Sequence, residues 1–264
     1  MSDVTVSAAF PQQARYLAWR SVIRTMRQPI VIVPPLVFPL FLLAINSSGL
    51  GAATDIPGFP TTSYLAFALA FPFMQGAIFS TNTAGTNVAQ DIDTGFFNRL
   101  SLTPMSGPSL LVGQLTGVLL IGTLQAVAFL AAGLAAGASI AAGPLGVPVL
   151  FALSLLIAAA FGAIGLFAAL RTGSSEAVQG LFPLMFILLF LSSATMPRDL
   201  IAHEWYRTVA TINPVSYLIE GLRSLIITGW DAEALALGFG AAAAIFVVAL
   251  VGATLALRER MVRT

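Results

Sequence analysis

Six long apolar runs, at 30–46, 62–85, 110–137, 147–170, 177–196 and 235–257, alternate with short polar intervals along the chain. A helix needs about 20 residues to cross a bilayer, within a range of about 17–25. The first run sits at the short end and carries Pro34, Pro35 and Pro39, so a kink or a late start is expected there. The other five have the length, and the pattern predicts six membrane spans. None of the runs contains Asp, Glu, Lys, Arg or His.

The intervals carry their own periodicity. Before the first run, Arg20, Arg24 and Arg27 fall on one helical face and Ala18, Trp19, Val22, Ile23 and Met26 on the other. This predicts an amphipathic helix within residues 1–28, lying in the membrane plane with Trp19 at headgroup level. In the interval 197–234, Asn213 followed by Pro214 marks a helix start, because a capping side chain precedes a residue that needs no amide donor. Val215, Leu218, Leu222 and Leu225 then line one face and Gly229 ends the helix. Glu220 and Arg223, spaced for an i,i+3 pair, keep so short a helix from spanning. An earlier short helix, near 199–211, carries Trp205 and Tyr206. Together they predict a hairpin that dips into the outer leaflet or caps the bundle, which requires burial in protein or a cavity-facing position.

Composition fixes the solvent. The chain has 264 residues, 58% hydrophobic and 9% charged, where a soluble domain has about 25% charged residues. Cysteine is absent, which excludes disulfides and thiolate metal sites. All 12 basic residues are arginine, which with the Ala and Gly content hints at a GC-rich bacterial genome. No cleavable signal peptide is expected, since no small-residue cleavage site follows the first apolar run. With the N-terminus inside, Arg15, Arg20, Arg24, Arg27, Arg99, Arg171, Arg258, Arg260 and Arg263 lie on the inner side, against Arg198, Arg207 and Arg223 outside. The excess of arginine predicts that both termini and the loop at 86–110 are cytoplasmic.

That loop holds the densest chemistry. Asp91, Asp93 and Arg99 alternate with Phe96, Phe97, Leu100 and Leu102, so apolar anchors sit within a polar rim. Carboxylates and guanidinium are too costly for hydrocarbon, and the segment reads as a docking element or as an ordinary connecting loop. Elsewhere the chemistry is thin. There is no phosphate-binding Gly-rich loop with Lys, and the single histidine, His203, lacks the second histidine of a zinc-protease helix. Asp91 with Asp93 could serve a membrane enzyme acting on a lipid or prenyl pyrophosphate through a metal. No catalytic residue and no metal site are assigned. Inside the runs, Gln75, Asn82 and Thr86 share one helical face, with Gln125, Ser192 and Ser193 on other runs. They line a passage for an amphiphile or hydrogen-bond neighbouring helices. Two pairs, Gly113 with Gly117 and Gly133 with Gly137, predict close helix approach and a central place for the third span.

The two informative intervals resemble one family, the permease subunits of type-2 ABC exporters, in particular its daunorubicin-resistance-like branch. The resemblance rests on Asp93-Thr94-Gly95, Arg99-Leu100 and Thr103-Pro104 after the second span, with Gly113 opening the third. On the other side it rests on Pro197, Trp205-Tyr206, Asn213-Pro214-Val215-Ser216-Tyr217 and Arg223. Ser192-Ser193 and Thr172-Gly173-Ser174 fit as well. The family's loop is often more acidic, whereas Phe96-Phe97 makes this one more aromatic. The resemblance implies an all-α permease of residues 1–264, without its own nucleotide site, in a bacterial plasma membrane. It implies two copies of a separate ATPase, which binds the ATP and Mg, a second permease (the same chain or a relative), membrane lipid around it, and no nucleic acid. Residues 90–104 would form the coupling helix, and the cargo would be a drug, polyketide, glycolipid or similar amphiphile.

Overall fold

The computed structural model describes residues 4–95 and 107–263, and among these every regular element is helical. In chain order the helices are α1 (Val4–Met26), α2 (Pro29–Gly49), α3 (Tyr64–Ala68), α4 (Ala70–Asp93) and α5 (Gly107–Ala135). There follow α6 (Gly146–Thr172), α7 (Ser175–Phe190), α8 (Glu204–Ile212), α9 (Pro214–Ile227) and α10 (Ala232–Arg263).

Helix boundaries follow local chemistry. Ser174 caps α7 by accepting from the Ala177 amide, and Asn213 caps α9 by accepting from the Val215 amide. Asp231 does the same for α10 at Glu233 and Ala234. Gly137 ends α5 with φ +96° and an Ala138 amide donating to the Gly133 carbonyl, the six-to-one bond of a left-handed helix stop. The second apolar run breaks at Leu69, between α3 and α4. Pro72 has no amide to offer the Ala68 carbonyl, which leaves the helical hydrogen-bond ladder open at that turn. In α2 the three prolines leave one continuous helix from Pro29, without the late start expected. Gln125 of α5 donates to the Pro35 carbonyl, the acceptor that Pro39 leaves unserved.

Among the described residues, five helical stretches are long and apolar enough to cross a membrane: Ile32–Gly49, Tyr64–Asp93, Gly107–Ala135, Gly146–Thr172 and Ala232–Met261. The run at 177–196, expected as a sixth, forms the 16-residue α7 instead. At 1.5 Å per residue that is about 24 Å, short of the ~30 Å hydrocarbon core. Its carbonyl end is received by the following segment. Asn213 Nδ2 donates to the Leu188 carbonyl at 2.7 Å and Tyr206 Oη to that of Phe190 at 2.7 Å. Orphan carbonyls that would otherwise need water are thereby satisfied within the protein.

The packing centre is not α5, as the glycine pairs suggested. Of the most apolar 18 residues in the Tyr64–Asp93 stretch 89% are buried within the protein, against 44% of those in α5. α4 lies across α6, where a Cβ on Gly165 would stand 2.0 Å from the Thr81 carbonyl oxygen and one on Gly85 2.8 Å from the Gly165 carbonyl oxygen. Thr81 Oγ1 closes the contact with a 2.9 Å bond to the Phe161 carbonyl. Gly113 and Gly117 do mediate close approach, but their partner is α1, through Leu17 and Ser21. Gly133 packs on Leu69, whereas Gly137 meets no neighbour and acts as the helix stop.

Candidate functional site

Charge collects at the end of the bundle where α4 finishes. A carboxylate in the last turn of a helix faces the negative end of the dipole and needs a compensating cation. Asp91 has two. Arg20 Nη2 and Arg24 Nη1 both donate to its Oδ1 at 3.0 Å, while Arg20 Nη1 and Gln114 Nε2 reach Oδ2 at 3.3 and 3.1 Å. Arg24 also donates to Gln90 Oε1 at 2.7 Å. Asp91 is 4% exposed, so it lies beneath α1 rather than on the rim of a docking surface. Arg20 and Arg24 are one turn apart and come together on α1 opposite α4. Leu17 and Ser21, on an adjoining strip, meet α5 at Gly113 and Gly117. The outward face of α1 shows Tyr16, Trp19 and Met26.

Past Asp91 the end of α4 comes to the surface. Asp93 and Thr94 are exposed, Thr94 Oγ1 bonds back to the Gln90 carbonyl at 2.8 Å, and Gly95 turns with φ +67°. Phe96, Phe97, Arg99, Leu100, Thr103 and Pro104 lie outside the described residues. Near the same end, Arg171 pairs with Glu259 and Arg260 Nε donates to the Leu170 carbonyl.

A groove of about 660 Å³ opens between α2, α4 and α7. Pro34 and Pro35 come from α2, Phe79, Asn82, Thr86 and Gln90 from α4, and Ser175 and Gln179 from α7. Of the candidate passage residues it therefore gathers Asn82 and Thr86. The Thr86 hydroxyl bonds to the Asn82 carbonyl of its own helix at 2.8 Å, whereas Asn82 Oδ1 is buried without a partner. Gln75 is fully buried, and both ends of its amide lack partners. An unmet buried polar group costs about 1–3 kcal/mol. Gln125 belongs to packing, at the Pro35 carbonyl. Ser192 caps the end of α7 at the Leu189 carbonyl, and Ser193 donates its amide to Ser216 Oγ.

The opposite end is built around Arg223, which is 7% exposed. Nε donates to the Phe67 carbonyl at 3.2 Å, and Nη2 donates to those of Ser193 and Ala194 at 3.0 Å. The guanidinium lies 3.6 Å from the Phe67 ring centroid. The expected Glu220–Arg223 pair does not form: Glu220 pairs with Arg198. Burial acts to lower the Arg198 pKa, but the Glu220 carboxylate and the Tyr217 ring beside it prevail and hold it above its ordinary value. Tyr217 Oη bonds the Thr211 carbonyl, which ties α9 to α8. Trp205 is exposed and stacks on Tyr206. Pro214 opens α9, and Pro197 and Arg198 flank a cavity of about 430 Å³ over Arg223. The spacing of Arg20 and Arg24 was visible in the sequence, but their partner Asp91 lies 71 and 67 residues away. No local pattern points to it.

Apolar helices of spanning length define a multi-pass α-helical membrane protein. The profile of the ABC-2 type transporter family matches residues 12–227. The daunorubicin resistance ABC transporter permease protein DrrB1 of Streptomyces coeruleorubidus is 31% identical over 219 residues, 79% of this chain and 72% of that protein. The putative transport permeases ycf38 of Pyropia yezoensis and Cyanophora paradoxa are 29% and 26% identical, over 81% and 85% of this chain and 74% and 77% of their own lengths. The chain belongs to the ABC-2 type transporter family and is a membrane transport subunit.

Proposed function

We propose that the chain is the permease half of an ATP-driven exporter that carries an amphiphile outward, with a separate ATPase in two copies bound at the end where α4 finishes. The single observation that supports this best is the Asp91 clasp. The loop that leaves α4 at Gly95 starts from a carboxylate clamped by two arginines of α1, and α1 is itself locked to α5 at Gly113 and Gly117. A push on residues 96–106 would thus be shared by α1, α4 and α5. Phe96, Phe97 and Leu100 are the proposed anchors in the ATPase, with Asp93 and Arg99 at the rim. Asp91 then positions the loop from within and does not contact the partner. α1 would rest in the headgroup plane, on the same ATPase.

The arginine distribution supports placing both termini in the bacterial cytoplasm, with six crossings. In that arrangement α7 makes the fifth crossing and is completed by a re-entrant α8–α9 hairpin that takes over its carbonyl end. A second permease, the same chain or a relative, would pack against the exposed apolar faces of α2 and α7, which carry Val33, Val37, Leu184 and Ile187. The alternative of a lipid- or prenyl-modifying enzyme is the weaker reading. It needs Asp91 free for a metal, and both its oxygens are occupied by Arg20, Arg24 and Gln114.

The test is co-purification from membranes in which this chain is co-expressed with a candidate ABC ATPase. Phe96→Ala with Phe97→Ala is expected to remove the ATPase from the complex while the permease still inserts. Asp91→Ala is expected to keep the ATPase bound and to lower transport. Unchanged co-purification in the Phe pair would exclude this loop as the docking element.

A further inference from the structure

We infer that the α2–α4–α7 groove and the buried amide of Gln75 are two stations for an amphiphile whose headgroup is uncharged and bears hydroxyls or carbonyls. The inference rests on the export reading above.

The groove has the volume of a small-molecule site, about 660 Å³ within the usual range of about 300–1,000 Å³. Among the described residues its polar lining is entirely amide and hydroxyl, including Asn82, Thr86, Ser175 and Gln179. Arg20, Arg24 and Asp91 stand at the same end, where both arginines close on Asp91 and Arg24 also holds Oε1 of the lining residue Gln90. A cationic headgroup entering the groove finds no carboxylate, and an anionic one finds no guanidinium. Either would be desolvated without a counter-charge. Amides both donate and accept, so they match an uncharged polyol or carbonyl headgroup on either side of a hydrogen bond. Asn82 Oδ1, buried without a partner, is an acceptor already in place.

The route outward from this groove is stoppered by rings. Phe79 lines the groove and meets Phe182 at 5.2 Å and Phe38 at 6.2 Å between centroids. Phe182 meets Phe186 at 4.8 Å, and Phe186 meets Phe190 at 6.3 Å. Phe71 reaches the same ladder at Phe190. Gln75 stands one turn beyond Phe79 and one turn before Phe71. The positions 75, 79, 82 and 86 recur at four, three and four residues, so they share one face of α4. The first is a buried amide with both ends unmet, one turn along α4 from Phe79, and the last two lie in the groove. Gln75 gains partners when the rings turn aside and a headgroup moves past Phe79.

The test uses the complex of this chain with its ATPase, in nanodiscs and in vesicles. The probe is a dodecyl maltoside carrying a photoreactive diazirine in its alkyl chain. Saturable labelling of the peptide that spans 79–86 is expected, competed by plain dodecyl maltoside and not by dodecyltrimethylammonium or dodecyl sulfate. Gln75→Leu is expected to leave that labelling and the ATPase association unchanged and to keep or raise the melting temperature. The same variant should slow outward movement of the maltoside about tenfold, the effect of one lost hydrogen bond on the moving cargo. Equal competition by the charged probes, unchanged transport in Gln75→Leu, or a lowered melting temperature in that variant would each overturn the inference. Failure of the wild-type chain to assemble with an ATPase would instead count against the export reading. Labelling of the chain alone would still decide the headgroup preference.

Discussion

Arg223 shows how much one side chain can hold in a bundle with few charges. Its three bonds to carbonyls join the α3–α4 break, the segment after α7 and α9, and its plane rests on Phe67. Lysine could keep the charge but not the fork or the stack. Arg223→Lys is therefore expected to lower stability by about 2–3 kcal/mol, read as a fall in the melting temperature of the purified permease; an unchanged value would contradict the role. At this scale the sequence is a mixed guide. Asn213 and Pro214 could be read directly, because a cap is a matter of neighbouring residues, and Val215, Leu218, Leu222 and Leu225 are all buried as their spacing implied. Asp91 was legible as a charge that had to be explained, but not as a buried one. Its arginines come from α1, and in a linear string they read equally well as contacts for headgroups. Glu220 was matched with the wrong arginine for the same reason: i,i+3 spacing permits a pair, and Arg198, 22 residues earlier, supplies the one that forms.

Helix contacts in this fold are set by where backbones can touch. α4 and α6 approach at Gly85 and Gly165, where the atom in the way of a new Cβ on Gly165 is a backbone oxygen and cannot turn aside. Gly165→Ala should thus force the helices apart and cost about 1–3 kcal/mol or more. Thermal unfolding in lipid nanodiscs measures it, and a wild-type value would mean that the crossing is slack. The small-residue rule pointed to Gly113 and Gly117 rightly and to Gly137 wrongly. A glycine at a helix end serves the left-handed turn, and one in the middle serves packing. Gly85 and Gly165 lie 80 residues apart on different helices, so nothing in either run pairs them. The limits of α7 were equally hidden. Hydropathy at 177–196 is continuous, and only the side chains of Tyr206 and Asn213, arriving from α8 and α9, make an early stop affordable to the backbone.

Across the whole molecule, the two ends differ in kind. One is held by contacts that link α1 to the last turn of α4, and the other by a buried guanidinium among α3, α9 and the segment after α7. The all-helical class and the transport family were legible because composition and the order of two motifs survive without three-dimensional information. The five long stretches were legible because length alone decides them. The groove was only half legible, since Asn82 and Thr86 share a face in the sequence while Ser175 and Gln179 join them only after folding. The proposed division of labour puts force on the inner end and cargo between α2, α4 and α7. The most direct measurement is transport of a labelled amphiphile against its gradient in vesicles, with this chain alone and with its ATPase and ATP. The account predicts accumulation only when ATPase and ATP are both present, and uphill movement by the lone chain would contradict it.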